Sequence, residues 1–251
     1  MDAVVIGLLV FACIFGAGLL GVRLRAGLPE QHLTAETKDT VRLGMGFVAT
    51  MAALLLGLLV ASAKGSYDTR KSEVTQIAAR IVVLDRVLAH YGPETAETRE
   101  LLRRATGSVI SRMWPDKMSQ HAQLDPSASP GEVLYDSIQK FSPQNDLQRA
   151  LKSQALGTTV DLGQARWLLF EQEGSSISTP MLVVVVFWLA IIFLSFGLFA
   201  PSNKIVITTL MLAALSMSGA IFLLLELDQP FDGLIQISSE PMHKALSHLG
   251  H

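Results

Sequence analysis

Apolar stretches at 3–22, 43–63, 181–200 and 205–225 dominate the hydropathy pattern, each about twenty residues long and free of Asp, Glu, Lys, Arg and His. At about 1.5 Å of rise per residue, a helix of that length crosses the ~30 Å hydrocarbon layer of a bilayer. A soluble core helix has no need of so long an uncharged run, so the pattern predicts four membrane-spanning helices. The first run is read as a retained helix rather than a cleaved signal. It is too long, Asp2 stands where a basic cluster would be, and no small-x-small site follows before Arg23.

Polar residues 23–42 join the first two spans and contain Leu28-Pro29-Glu30, with Thr34 and Thr40 as helix starters. Little more than Pro201-Ser202-Asn203-Lys204 joins the last two, which forces an antiparallel pair. Between the hairpins the pattern changes to that of half-buried helices. Val74, Ile77, Ile81, Leu84 and Leu88 recur at spacings of three and four, a heptad seam on one face. Span two is expected to continue as one rod to Tyr91-Gly92-Pro93, where glycine suits a helix end and proline cannot extend the ladder. Further helices are expected at 94–113, 132–141 and 144–172, with a loop at 115–131 marked by Pro115, Pro126 and Pro130. The tail turns helical after Ser238-Ser239-Glu240-Pro241, with Ser239 as N-cap. Leu246 and Leu249 are then placed to dock on the helical domain or along the membrane surface. The expected fold is all-α, four transmembrane helices in two hairpins flanking a soluble helical domain. Its parts are a first hairpin at 1–64, the helical domain at 65–178, a second hairpin at 179–227 and a tail at 228–251.

Composition narrows function mostly by exclusion. A formal net charge of -2 makes no electrostatic case for nucleic acid. Cys13 is the single cysteine, so no internal disulfide is possible. His32, His90, His121, His243, His248 and His251 are scattered, without the spacing of a zinc site. No phosphate loop, nucleophile elbow or His-Glu-x-x-His helix is present, and the chain is not expected to be an enzyme. Basic residues disagree about orientation. Arg23, Arg25, Lys38 and Arg42 flank the first loop, while Lys64, Arg70, Lys71 and Arg80 cluster beyond the second span.

Two constellations carry candidate chemistry. Gly46, Thr50, Ala53, Gly57 and Ala61, spaced four, three, four and four, form a small-residue stripe on span two. Such a stripe serves close helix packing, or the wall of a pore in which small side chains leave room for an ion. Uncharged walls fit an anion or a weakly selective path better than a proton relay, which needs buried titratable groups. After span four, Glu226, Asp228 and Asp232 stand within seven residues beside Pro230 and Gly233. They are read either as acids at the membrane interface or as ligands for a hard cation such as calcium.

The stretches Leu43-Gly44-Met45-Gly46-Phe47-Val48-Ala49-Thr50, Leu84-Asp85-Arg86-Val87-Leu88 and Glu226-Leu227-Asp228-Gln229-Pro230-Phe231 are similar to the bestrophin-like family of bacterial membrane proteins. The resemblance extends over nearly the whole chain. More distantly, the layout of hairpin, helical domain, hairpin and acidic segment resembles bestrophin anion channels. That resemblance implies a homo-oligomer, a pentamer, with the second membrane helix lining an anion path and a calcium-binding acidic segment. It also implies a bacterial inner-membrane protein with its termini and helical domain in the cytoplasm. A second reading is a non-conducting scaffold or sensor whose helical domain binds a partner.

Overall fold

The computed structural model describes residues 3–27, 29, 34–115, 131–171, 177–201, 203–231 and 233–250. Among the described residues eight α-helices follow one another: α1 (Ala3–Gly27), α2 (Ala35–Tyr91), α3 (Ala96–Met113), α4 (Gly131–Gln139), α5 (Asp146–Glu171), α6 (Thr179–Phe199), α7 (Lys204–Asp228) and α8 (Glu240–His248). No strand occurs among the described residues, and the all-α expectation holds. Helices α1, α2, α6 and α7 are long and apolar enough to cross a membrane. Most of the expected loop at 115–131, like His32, His121, His251 and Asp232, lies outside the described residues.

Helix ends follow local chemistry. At the start of α2 the Thr37 amide donates to the Thr34 hydroxyl oxygen at 3.2 Å, which makes Thr34 the N-cap. Thr40 instead lies inside the helix, its hydroxyl donating to the Glu36 carbonyl at 3.0 Å. α2 runs unbroken through Gly65 for 57 residues. It stops where Gly92 takes φ 147°, a conformation side chains resist, and Pro93 opens a short 3₁₀ turn. The Thr95 hydroxyl then donates to the Leu88 carbonyl at 2.7 Å, satisfying an orphan acceptor in the last turn. At the head of α7 the Asn203 side chain accepts from the Val206 amide at 2.8 Å.

The chain divides into two compact units, Met1–Ser66 with Ser176–Gln229, and Tyr67–Ser175 with Pro230–His251. In the first, α1 packs against both α6 and α7. Gly18 faces Phe193 of α6 and Leu210 of α7, Gly21 faces Leu194 and Gly197, and Gly7 faces Phe222. α1 therefore runs parallel to α6 and antiparallel to α7. A Cβ added to Gly21 would run into the Leu194 carbonyl oxygen, and one on Gly197 into that of Gly18. The two backbones touch, which only glycine permits, and in a bilayer such close approach is a main source of helix adhesion. Where the two helices end together, the Arg25 guanidinium donates to the Ala200 carbonyl. A cation there complements the negative end of the α6 dipole. Ile14, Val185, Ala214 and Ile221 are wholly buried in this core, to which α2 adds Leu59 and Ala63.

In the second unit the expected seam is buried: Val74, Ile77, Ile81, Leu84 and Leu88 are all under one-tenth exposed. They meet α3, α4, α5 and the tail in one core. Asp85 shares that face and is 1% exposed. Its two carboxylate oxygens accept from Nε and Nη2 of Arg99 at 2.8 and 2.9 Å, a bidentate pair between α2 and α3. The paired carboxylate raises the Arg99 pKa above its ordinary value. The tail docks here, with Met242, Ala245 and Leu249 buried and Leu246 packed against the same core. Just before it, the Ile237 amide donates to the Pro230 carbonyl at 2.8 Å and closes a loop that buries Phe231. Trp114 holds this loop, donating to the Ile237 carbonyl at 2.8 Å and meeting the Phe231 ring edge-on at 6.0 Å.

Candidate functional site on the second membrane helix

Gly46, Thr50, Ala53, Gly57 and Ala61 are all exposed. The side of the same helix that enters the first unit's core is marked by Ala52, Leu59 and Ala63, at 4%, 3% and 0% exposure. At about 100° per residue, the stripe points roughly 140° away from that buried edge. A Cβ on Gly44, Gly46 or Gly57 would have nothing within 4 Å. Unlike Gly18, Gly21 and Gly197, these hold no helix close among the described residues. Among the described residues, then, nothing packs closely against the glycines of the stripe.

Geometry along the stripe is smooth and uncharged. The Thr50 hydroxyl donates to the Gly46 carbonyl at 2.9 Å, so it offers lone pairs rather than a free donor. Beside the stripe stands a row of large apolar side chains, Leu43, Phe47, Leu54 and Leu58, each at least 60% exposed. Of the four apolar helices, α2 has the smallest buried share in its apolar window, 11% against 22–28% for the others. Its outward face thus joins a narrow small-residue strip to a bulky apolar one.

The acidic segment is described only in part. Glu226 and Asp228 are 4% and 7% exposed at the end of α7 in the first unit. Two residues apart on a helix, their side chains leave it in nearly opposite directions. Asp232 lies outside the described residues. Among the described residues no group of three or more His, Cys, Asp or Glu is placed to hold a metal ion.

Sequence reasoning missed two features. The Asp85–Arg99 pair had a signal, since Asp85 falls in phase with the apolar seam and an acid there requires a partner. The glycine contact between α1 and α6 had a weaker one, because Gly7, Gly18 and Gly21 are diluted among other small residues.

These features, a parallel α1–α6 contact, a long α2 carrying an outward small-residue stripe, and a helical unit that includes the tail, can be set beside known proteins. The family model of the Bestrophin-like domain matches residues 12–242. The chain belongs to the Bestrophin-like family. The fold agrees: a crystal structure of a bacterial bestrophin homologue from Klebsiella pneumoniae, carrying an isoleucine-to-threonine mutation, superposes with a TM-score of 0.68 at 11% identity, covering 96% of each chain. A tyrosine-to-alanine mutant of a bacterial bestrophin homologue from the same organism gives 0.62 at 12% identity over 94% of this chain and 97% of that one. A glycine-to-alanine mutant described as a membrane protein gives 0.62 at 13% identity over 96% of each. No curated protein matches the sequence. The bestrophin-like chain is thus a membrane protein whose fold is shared at very low sequence identity.

Proposed function

We propose that the bestrophin-like chain assembles as a homo-oligomer in the membrane and conducts an anion along a path lined by Gly46, Thr50, Ala53, Gly57 and Ala61. The observation that carries this reading is the direction of the stripe, away from the protomer's own core with open space at each glycine. A face that small and that uncharged leaves room for an ion to pass without presenting a fixed charge of either sign. Five copies around an axis is the assembly that bestrophin likeness favours. The bulky row of Leu43, Phe47, Leu54 and Leu58 then supplies contact between neighbours or with lipid.

Orientation belongs to the same proposal. With α1 parallel to α6 and antiparallel to α7, the ends of α1 and α6 share one membrane face, and the start of α1 and the end of α7 share the other. Arg25 caps α6 at the first of these faces, so its position has a structural cause and carries less weight as a cytoplasmic marker. Discounting it favours termini and helical unit in the cytoplasm, across the inner membrane of a bacterium.

Purified protein in planar bilayers is the test. Currents whose reversal potential follows the chloride gradient, reduced by Gly57→Leu in an intact oligomer, support the reading. A well-formed oligomer that stays silent overturns it, and a stoichiometric partner cross-linked to the helical unit in cells would then favour a scaffold or sensor.

A further inference from the structure

Inside the second unit, α2, α3, α4 and α5, with Met242 of α8, surround a cavity of about 400 Å³ open to solvent. Two of its walls repeat one pattern, at positions i, i+3, i+4 and i+7. Leu102, Ala105, Thr106 and Val109 line it from α3, and α5 presents Thr159, Leu162, Gly163 and Arg166. Ala105 and Thr106 on α3, and Thr159 and Gly163 on α5, are the small side chains among them. Gly163 is the informative one. It lies in the interior of a 26-residue helix, where glycine is costly relative to alanine. A Cβ there would have nothing within 4 Å, so no close backbone approach requires it. Gly21 and Gly197 are glycine because another helix touches them; Gly163 borders space instead.

The lining defines a chemical class. Ile77, Ile81 and Leu134 make one side apolar, Tyr135 and Trp167 bring aromatic surface, and Glu132, Asp136 and Arg166 are the charged members of the lining. Thr106 and Thr159 are nearly fully buried, and each hydroxyl donates to the carbonyl four residues earlier, at 2.8 Å in both cases. With their protons committed, the two oxygens can only accept. Volume, apolar walls and a few fixed polar groups are the features of small-molecule sites.

We propose that this cavity binds a mainly apolar, ring-bearing small molecule that carries a hydrogen-bond donor. The site is separate from the α2 stripe, and its occupancy does not depend on whether the protein conducts. Gly163 provides the room, Trp167 and Tyr135 contact the ring, and a threonine oxygen accepts the donor.

Naphthol, a two-ring apolar probe with one hydroxyl, is titrated against the full chain in lipid nanodiscs and followed by saturation-transfer NMR, with empty nanodiscs subtracted. Saturable binding that weakens at least tenfold in Gly163→Leu and is unchanged in Gly157→Leu supports the site. Gly157 is exposed on the same helix, outside the cavity, and also has open space at its Cβ, so it controls for the helix itself. Ala105→Val fills the cavity from α3 and serves if Gly163→Leu fails to fold. No saturable component above the empty nanodisc, or equal binding in the filled variants, overturns the proposal.

Discussion

Two sets of glycines in the membrane unit look alike in sequence and do opposite things. Gly18, Gly21 and Gly197 lie where α1 and α6 touch backbone to backbone. Gly44, Gly46 and Gly57 of α2 meet nothing within 4 Å. Small residues in an apolar helix therefore state only that something needs room. What needs it, a neighbouring helix or a path, depends on which face the stripe occupies once the other helices are placed. Here the first set has its occupant inside the protomer and the second faces out of it.

The comparison can be broken most directly at Gly197. Gly197→Leu is expected to cost about 3 kcal/mol or more, because a backbone atom rather than a flexible side chain stands in the way. Thermal unfolding and the yield of folded protein measure it, and a wild-type melting curve would mean that the α1–α6 contact is not as close as described. Next in size is Asp85→Ala in the helical unit. It leaves the Arg99 guanidinium, 20% exposed, without its bidentate partner and is expected to cost about 3 kcal/mol in denaturant unfolding. Restored stability in the double variant Asp85→Leu/Arg99→Met would show that the pair fixes geometry more than it adds energy. It would contrast with the charge-free adhesion of α1 and α6.

Smaller effects sharpen the same contrast. Arg25→Gln removes the charged cap on α6, an expected loss of about 1 kcal/mol that shrinks in high salt. At Tyr91 the phenol is buried, and its oxygen has no hydrogen-bond partner among the described residues. Burial, with the nearby Glu94 charge adding to it, raises its pKa above the usual value. Below the unfolded-state pKa of about 10 its contribution is constant. Above that, the unfolded chain ionises first, so stability falls until the folded phenol ionises too. Tyr91→Phe should abolish that part of the alkaline loss and be neutral to slightly stabilising near pH 7, because an unpaired buried hydroxyl is removed. A marked loss of stability at neutral pH would mean that the hydroxyl has a partner. The smallest effect on stability is expected at Gly57→Leu, within about 0.5 kcal/mol, since the new side chain meets open space. A large loss there would place a helix of the protomer against the stripe and erase the difference from Gly197.

Much of the fold is legible along the chain, for identifiable reasons. Uncharged length marks the four spans because hydrocarbon excludes charge and unpaired backbone alike. The three-and-four spacing of Val74 to Leu88 marks the seam, and Tyr91-Gly92-Pro93 marks the end of α2, since φ 147° and a missing amide are local properties of those residues. The stripe on α2 is equally plain as a pattern. Its use is not, because residue spacing fixes which side chains share a face but not what the face meets. Nor does a charge tally reveal that Arg25 is engaged by a carbonyl 175 residues away. The cavity beside Gly163 has no sequence signature, as its walls come from five helices and its defining feature is space.

By itself, then, the sequence determined the spans, the helical phase of each and the points where helices stop, all of which depend on neighbours along the chain. Only the tertiary structure decided which glycines hold a helix, which face of α2 is left open and where the helical unit keeps a void. Those outcomes depend on contacts between residues far apart in sequence, and short-range periodicity carries no information about them.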